Sequence, residues 1–133
     1  MTGEVLASVR VLVVEDEAFS QRFLVRVLKT IGIEQVLTAE NGVKALELLG
    51  AIESDIDLII SDIEMPEMNG YELVRRVRYG VVPRFKDIPI LILTGQNTEE
   101  NERKGRFHKI SGYVVKPPKV DPLRAHITEA LGL

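Results

Sequence analysis

A chain of 133 residues, 45% of them hydrophobic, holds enough apolar material for one packed domain that buries roughly two-thirds of its unfolded surface, which argues against intrinsic disorder. It contains no cysteine, so disulfides, thiolate metal sites and thiol nucleophiles are excluded, and a net charge of −3 argues against a nucleic-acid-binding face. No apolar run approaches the roughly 18 residues that span a bilayer, and Glu4 and Arg10 interrupt any leader-like stretch; the expectation is a cytoplasmic protein with no membrane insertion and no direct nucleic-acid partner.

Strand-like apolar runs then alternate with helical patterns five times. The first strand covers residues 10–14. A helix over 19–31 follows, with Leu24, Val27, Leu28 and Ile31 at the i, i+3, i+4, i+7 spacing of one buried face, and Gly32 ends it. A short strand spans 35–38. Asn41 and Gly42 open a helix to about Leu49, with Val43, Ala45, Leu46 and Leu49 inward and Gly50 closing it. The third strand, 57–61, runs into the loop Asp62-Ile63-Glu64-Met65-Pro66-Glu67-Met68-Asn69-Gly70, in which Pro66 shapes the chain and Gly70 takes a backbone angle that other residues resist.

A helix from near Tyr71 turns Leu73, Val74 and Val77 inward, and 81–87 is a connecting loop. Pro89 precedes the fourth strand, 90–93, where proline suits a first strand position. Residues 97–109 are almost wholly polar, a weakly amphipathic segment that includes Phe107 and the basic cluster Arg103, Lys104, Arg106 and Lys109. The fifth strand covers 112–115. Asp121 caps the last helix with Pro122 at its first position, and Leu123, Ile127, Ala130 and Leu131 face inward. Such alternation with short loops implies one parallel sheet with right-handed crossovers and helices on both faces.

Charged residues stand at the ends of the apolar runs, which is where ligands bind in such sheets. Glu15 and Asp16 follow the first strand, Asp62 the third, Thr94 the fourth and Lys116 the fifth. Carboxylates from two strands, a hydroxyl from a third and an ammonium from a fourth suit a phosphoryl-accepting site. Glu17 reads differently, as an acid that complements the positive end of the first helix. His108 and His126 are too isolated for metal or acid–base work.

These residues carry a resemblance. The pair Glu15-Asp16, the 62–70 loop motif, Thr94-Gly95 and Tyr113-Val114-Val115-Lys116-Pro117 resemble, in order and over about 9–131, the receiver domain of two-component response regulators of the stand-alone, chemotaxis-regulator-like kind. The resemblance implies an α/β flavodoxin-like (βα)5 doubly wound sheet, strand order 2-1-3-4-5, in a single domain over 1–133 with no output domain. It implies that Asp62 takes a phosphoryl group from a histidine kinase or histidine phosphotransfer protein. It implies Mg2+, with Mn2+ an acceptable substitute, at Asp16, Asp62, the backbone carbonyl of Glu64, and Glu15 directly or through water. Thr94, the Gly95 N–H and Lys116 would hold the phosphoryl oxygens, Thr94 and Tyr113 would form a switch pair, and the Lys116-Pro117 bond would be cis. A separate target protein would read the face made by the fourth helix (the 97–109 segment), the fifth strand and the fifth helix (from Asp121).

On this reading the chain is a phosphoacceptor with self-catalysed phosphorylation and dephosphorylation, not an enzyme with a diffusible substrate. The alternatives are a receiver-like scaffold that is never phosphorylated, and a receiver piece of a larger regulator or hybrid kinase. Two departures from the family stand out: Pro118 replaces the usual aromatic after Pro117, and Lys109-Ile110 replaces the usual Gly-Ala.

Overall fold

The computed structural model describes residues 2–95 and 109–133. Its elements are α1 (Thr2–Ser8), β1 (Arg10–Val14), α2 (Ala18–Ile31), β2 (Gln35–Ala39), α3 (Gly42–Ala51), β3 (Leu58–Asp62), α4 (Gly70–Arg78), a 3₁₀ turn (Pro83–Phe85), β4 (Ile90–Thr94), β5 (Gly112–Val115) and α5 (Val120–Leu131). The five strands pair in parallel in the order β2-β1-β3-β4-β5, which bears out the expected topology.

Alternation along the central strands builds two cores, because successive side chains leave a strand on opposite faces. Val11 and Val13, Leu58 and Ile60, and Leu91 and Leu93 face α1, α2 and α5, whose Leu6, Leu24, Leu28, Leu123 and Ile127 close over them. Leu12, Val14, Ile59, Ile90 and Ile92 face α3 and α4, which bring Ala45, Leu49, Leu73, Val74 and Val77. Strands buried on both faces read as unbroken apolar runs, which is how they look in the sequence. A polar residue at the end of such a run therefore marks where the strand leaves the core.

The caps explain the helix limits. Glu17 accepts from the Phe19 and Ser20 amides at the start of α2, Asn41 from Lys44 at α3 and Asn69 from Glu72 at α4. Gly32 ends α2 in the left-handed region, φ 116, with its amide bonded to the carbonyls of Leu28 and Lys29.

Several limits and one element differ from the sequence reading. α1 was not foreseen; seven residues give too short a pattern, yet Leu6 is buried in the first core. Val43 is 36% exposed, because two positions from Ala45 is more than half a helical turn. Gly50 does not close α3, which runs to Ala51 and ends with the Ile52 amide on the Leu48 carbonyl. β3 starts and ends one residue later than expected, so that Asp62 itself belongs to the strand, and Thr94 likewise ends β4.

α5 begins at Val120 with Lys119 as its cap, so Asp121 lies in the first turn, paired with Arg124, and Pro122 is the third helical residue. Proline is tolerated there because the first amides of a helix have no internal acceptor. The polar segment, with Phe107, His108 and the bases at 103, 104 and 106, lies outside the described residues.

Candidate phosphoryl-accepting site

Strand register brings the predicted residues to one sheet edge. Val14 pairs with Ser61, Asp62 with Leu93, and Thr94 with Val115. Glu15 and Asp16 therefore emerge beside Asp62, and Lys116 emerges beside Thr94. The backbone ties this edge together: Glu15 donates to the Ala39 carbonyl, Ile63 to that of Leu93 and Lys116 to that of Thr94.

Glu15, Asp16 and Asp62 each offer a carboxylate oxygen within 4.8 Å of the other two. Glu15 and Asp62 are buried, at 2% and 7% exposure, while Asp16 faces solvent and leaves the cluster open on one side. Lys116 Nζ stands 2.8 Å from Asp62 Oδ2 and 3.8 Å from Glu15 Oε2. Thr94 is buried at the same edge.

The electrostatics follow from this crowding. Burial pushes the Glu15 carboxyl up to about 7; the Glu17 amide, bonded to Oε1, opposes that rise and the nearby Asp62 charge adds to it. Burial alone would weaken the Lys116 charge, but its hydrogen bond and attraction to Asp62 hold the ammonium above its usual range. One ammonium serves two buried carboxylates, and Glu15 Oε2 is left buried with no hydrogen-bond partner among the described residues. A small oxygen-seeking dication fits that deficit: it would relieve the carboxylate repulsion and satisfy the orphaned oxygen, and hard cations prefer this donor set.

Below the edge, the loop after β3 is tightly wound. Gly70 donates to the Ile63 carbonyl at 2.8 Å, and Met68 to that of Pro66 at 2.7 Å. Gly70 is required by space rather than by an unusual backbone angle, which corrects the sequence reading: a Cβ there would overlap the Asp62 carbonyl oxygen. The left-handed residue of this loop is Glu67, φ 68. Met68 is buried in the second core and a Cβ on Gly42 would strike it, so both pack locally, with Met65 partly buried nearby. The Glu64 side of the loop borders an open cleft with Ile63, Met65, Pro66 and Asn69.

Around the edge, the Lys116–Pro117 peptide is cis. Gly95 is exposed, and a Cβ there would meet no atom within 4 Å among the described residues, so the fold itself does not demand glycine. Tyr113 is half-buried, and its hydroxyl lies 3.0 Å from that of Tyr71. His126 lies in α5, lining a cleft with Tyr113, Lys116 and Pro122, and is not among the clustered carboxylates.

Two features escaped the sequence reading. Tyr71 pairs with Tyr113 across 42 residues, for which no local pattern exists. Phe19, 68% exposed, and Phe23 flank a cleft of about 390 Å³ with Leu24, Leu93, Glu15, Lys116, Pro117 and the buried Pro118. The i, i+4 spacing of the two phenylalanines, offset from the buried face of α2, was the available signal.

The response regulator receiver domain family matches residues 11–128. The chain is 37% identical to the chemotaxis protein CheY1 of Helicobacter pylori, over 92% of this chain and 97% of that one. It is 34% identical to a CheY homologue of Campylobacter jejuni over 92% of each. Among solved structures, CheY4 of Vibrio cholerae superposes with a TM-score of 0.81 at 32% identity, covering 92% of this chain and 98% of that one. A putative response regulator of Chloroflexus aurantiacus gives 0.82 at 28% identity, covering 95% and 100%. The edge of converging carboxylates, the strand order and these likenesses lead to one conclusion: this chain belongs to the response regulator receiver domain family of two-component signalling.

Proposed function

We propose that Asp62 accepts a phosphoryl group from the phosphohistidine of a histidine kinase or phosphotransfer protein, and that the modified chain changes its affinity for a separate protein. The observation that carries this is the buried Asp62 carboxylate, 2.8 Å from Lys116 Nζ and clustered with Glu15 and Asp16 at the sheet edge. An Asp62 oxygen attacks phosphorus; the P–N bond breaks, its electron pair returns to the imidazole, and an acyl phosphate forms. Such transfer relies on positioning and charge neutralisation more than on covalent assistance.

Asp16, Asp62, the Glu64 backbone carbonyl and Glu15, directly or through water, would hold Mg2+, and Mn2+ would substitute. The metal's contribution is to neutralise charge on the transferred group. Lys116 releases Asp62 to pair with the incoming phosphoryl oxygens, and the Thr94 hydroxyl and Gly95 N–H donate to the others. The same groups assist hydrolysis, so the chain would catalyse its own modification and its reversal. The apolar residues Phe19, Phe23 and Pro118 line a cleft with Glu15 and Lys116 of the site, and that cleft suits the approaching donor protein.

Phosphorylation adds about −1.5 to −2 charges at one carboxylate, and contacts that form in only one conformation shift the population towards it. Thr94 drawn inward would make room for Tyr113, and the face around β5 and α5, with the segment before β5, would present the change to the target. The unit that acts would be the whole receiver, 1–133 with its core over about 9–131.

Incubation with acetyl phosphate and Mg2+, followed by peptide mass spectrometry, tests the chemistry. One phosphoryl group on the peptide holding Asp62, absent from Asp62→Asn and from metal-free samples, is the expected result. An unmodified Asp62 under these conditions would favour the non-phosphorylated scaffold instead.

A further inference from the structure

The helix that leaves the Asp62 loop is bonded to the strand that carries Tyr113. α4 starts at Gly70, whose amide holds the Ile63 carbonyl and whose Cα lies against the carbonyl of Asp62. One residue on, the Tyr71 hydroxyl meets that of Tyr113 at 3.0 Å. Two turns further along the same face, Arg78 donates to the carbonyl of Lys109 at 2.9 Å and to that of Lys86 at 2.9 Å. Lys109 stands in the left-handed region, φ 57, just ahead of β5. One end of α4 thus touches the acceptor loop, and its flank grips β5 and its lead-in.

The hydroxyl pair matters because of where Tyr113 sits. Its ring packs against the core on the α3–α4 side of the sheet. A phenol in such a place needs a partner for its O–H, and without one the half-buried position loses its advantage over an outward one. Burial, and then the bond to Tyr71, push the Tyr113 phenol above its ordinary range. Phenylalanine at position 71 would fill the same space and offer nothing to the Tyr113 oxygen.

We infer that Tyr71 is a positioning residue of the switch: its hydroxyl stabilises the inward, half-buried Tyr113 and links the loop behind Asp62 to β5. This deepens the proposed function and rests on its reading of Asp62 as acceptor and Tyr113 as readout residue. Because the bond exists only with Tyr113 inward, a phosphoryl group at Asp62 that draws Tyr113 inward is helped by it. By linkage, losing the bond weakens binding at Asp62.

The test compares wild type with Tyr71→Phe, and with Tyr79→Phe as the control at an exposed tyrosine. The first measurement, on unmodified protein carrying 13C-labelled tyrosine, is NMR exchange of the Tyr113 hydroxyl proton with water. It should quicken about tenfold or more in Tyr71→Phe and stay unchanged in Tyr79→Phe. The second is affinity for beryllofluoride with Mg2+, a mimic of the phosphoryl group. It should fall in Tyr71→Phe by up to about tenfold, the ceiling set by one net hydrogen bond. A residue that only packs would move neither, since the ring remains. Unchanged hydroxyl exchange overturns the positioning role. Unchanged or tighter beryllofluoride binding in Tyr71→Phe overturns the link to Asp62 alone. Failure of wild type to bind beryllofluoride overturns the acceptor reading and the link with it, while the exchange measurement still decides the hydrogen bond.

Discussion

Glu15 places one carboxylate oxygen in the interior without a hydrogen-bond partner among the described residues, beside Asp62 and 3.8 Å from the single ammonium of Lys116. Its pKa, pushed by burial from the ordinary 4.5 up to about 7, sets a pH dependence. Between those values the folded chain keeps a proton that the unfolded chain gives up, so the metal-free protein loses stability as pH rises through that window, by at most about 1.4 kcal/mol per pH unit. Urea unfolding without metal should therefore give a lower midpoint at pH 8 than at pH 5.5, relative to Glu15→Gln, and Mg2+ at pH 8 should restore it. Lys116 plays the opposite part, since its charge helps an anion and opposes a cation. Lys116→Met should slow phosphorylation by acetyl phosphate about a hundredfold, while Mg2+ affinity, followed by calorimetry, is unchanged or higher. Parallel loss of both would mean that Lys116 acts by holding the fold.

Elements carry these residues, and the tightest point is the junction of β3 with α4. Ser61 Oγ donates to the Asp62 carbonyl, Gly70 crowds the same carbonyl, and Asn69 caps the helix. Gly70→Ala must displace either the Asp62 backbone or the start of α4, and overpacking of this kind costs about 1–3 kcal/mol. The expected result is a lower unfolding midpoint together with weaker Mg2+ binding, because the displaced backbone carries Asp62. An alanine at Gly95, where a Cβ meets no atom within 4 Å among the described residues, is the contrasting variant and should leave stability unchanged. Elements with a strong apolar period were legible from the sequence: α2, α4 and the strands stand within a residue or so of their expected limits. Limits that depend on capping geometry were less so, since Gly50 and Pro122 both look like punctuation and both lie inside helices.

At the scale of the molecule, two cores flank the sheet, and the first is closed at the N-terminal end by α1. Leu6, with 1% exposure, packs there among strand and helix residues. Leu6→Ala should cost about 2–4 kcal/mol, read as a lower urea midpoint with an unchanged slope, and should leave Mg2+ affinity intact because the site lies at the opposite edge. The covered parallel sheet and the gathering of Glu15, Asp16, Asp62, Thr94 and Lys116 at one edge were legible in the sequence itself, while the strand order followed only from the family resemblance. Unbroken apolar runs compel a parallel sheet covered on both faces, and a charge ending such a run has only the strand's carboxyl end to occupy. Tertiary structure alone decided the short helix over Leu6, the reason for Gly70, the cleft beside Phe19 and the meeting of Tyr71 with Tyr113. Each depends on atoms far apart in the chain coming within a few ångströms, and hydrophobic period and turn chemistry describe only neighbours along it.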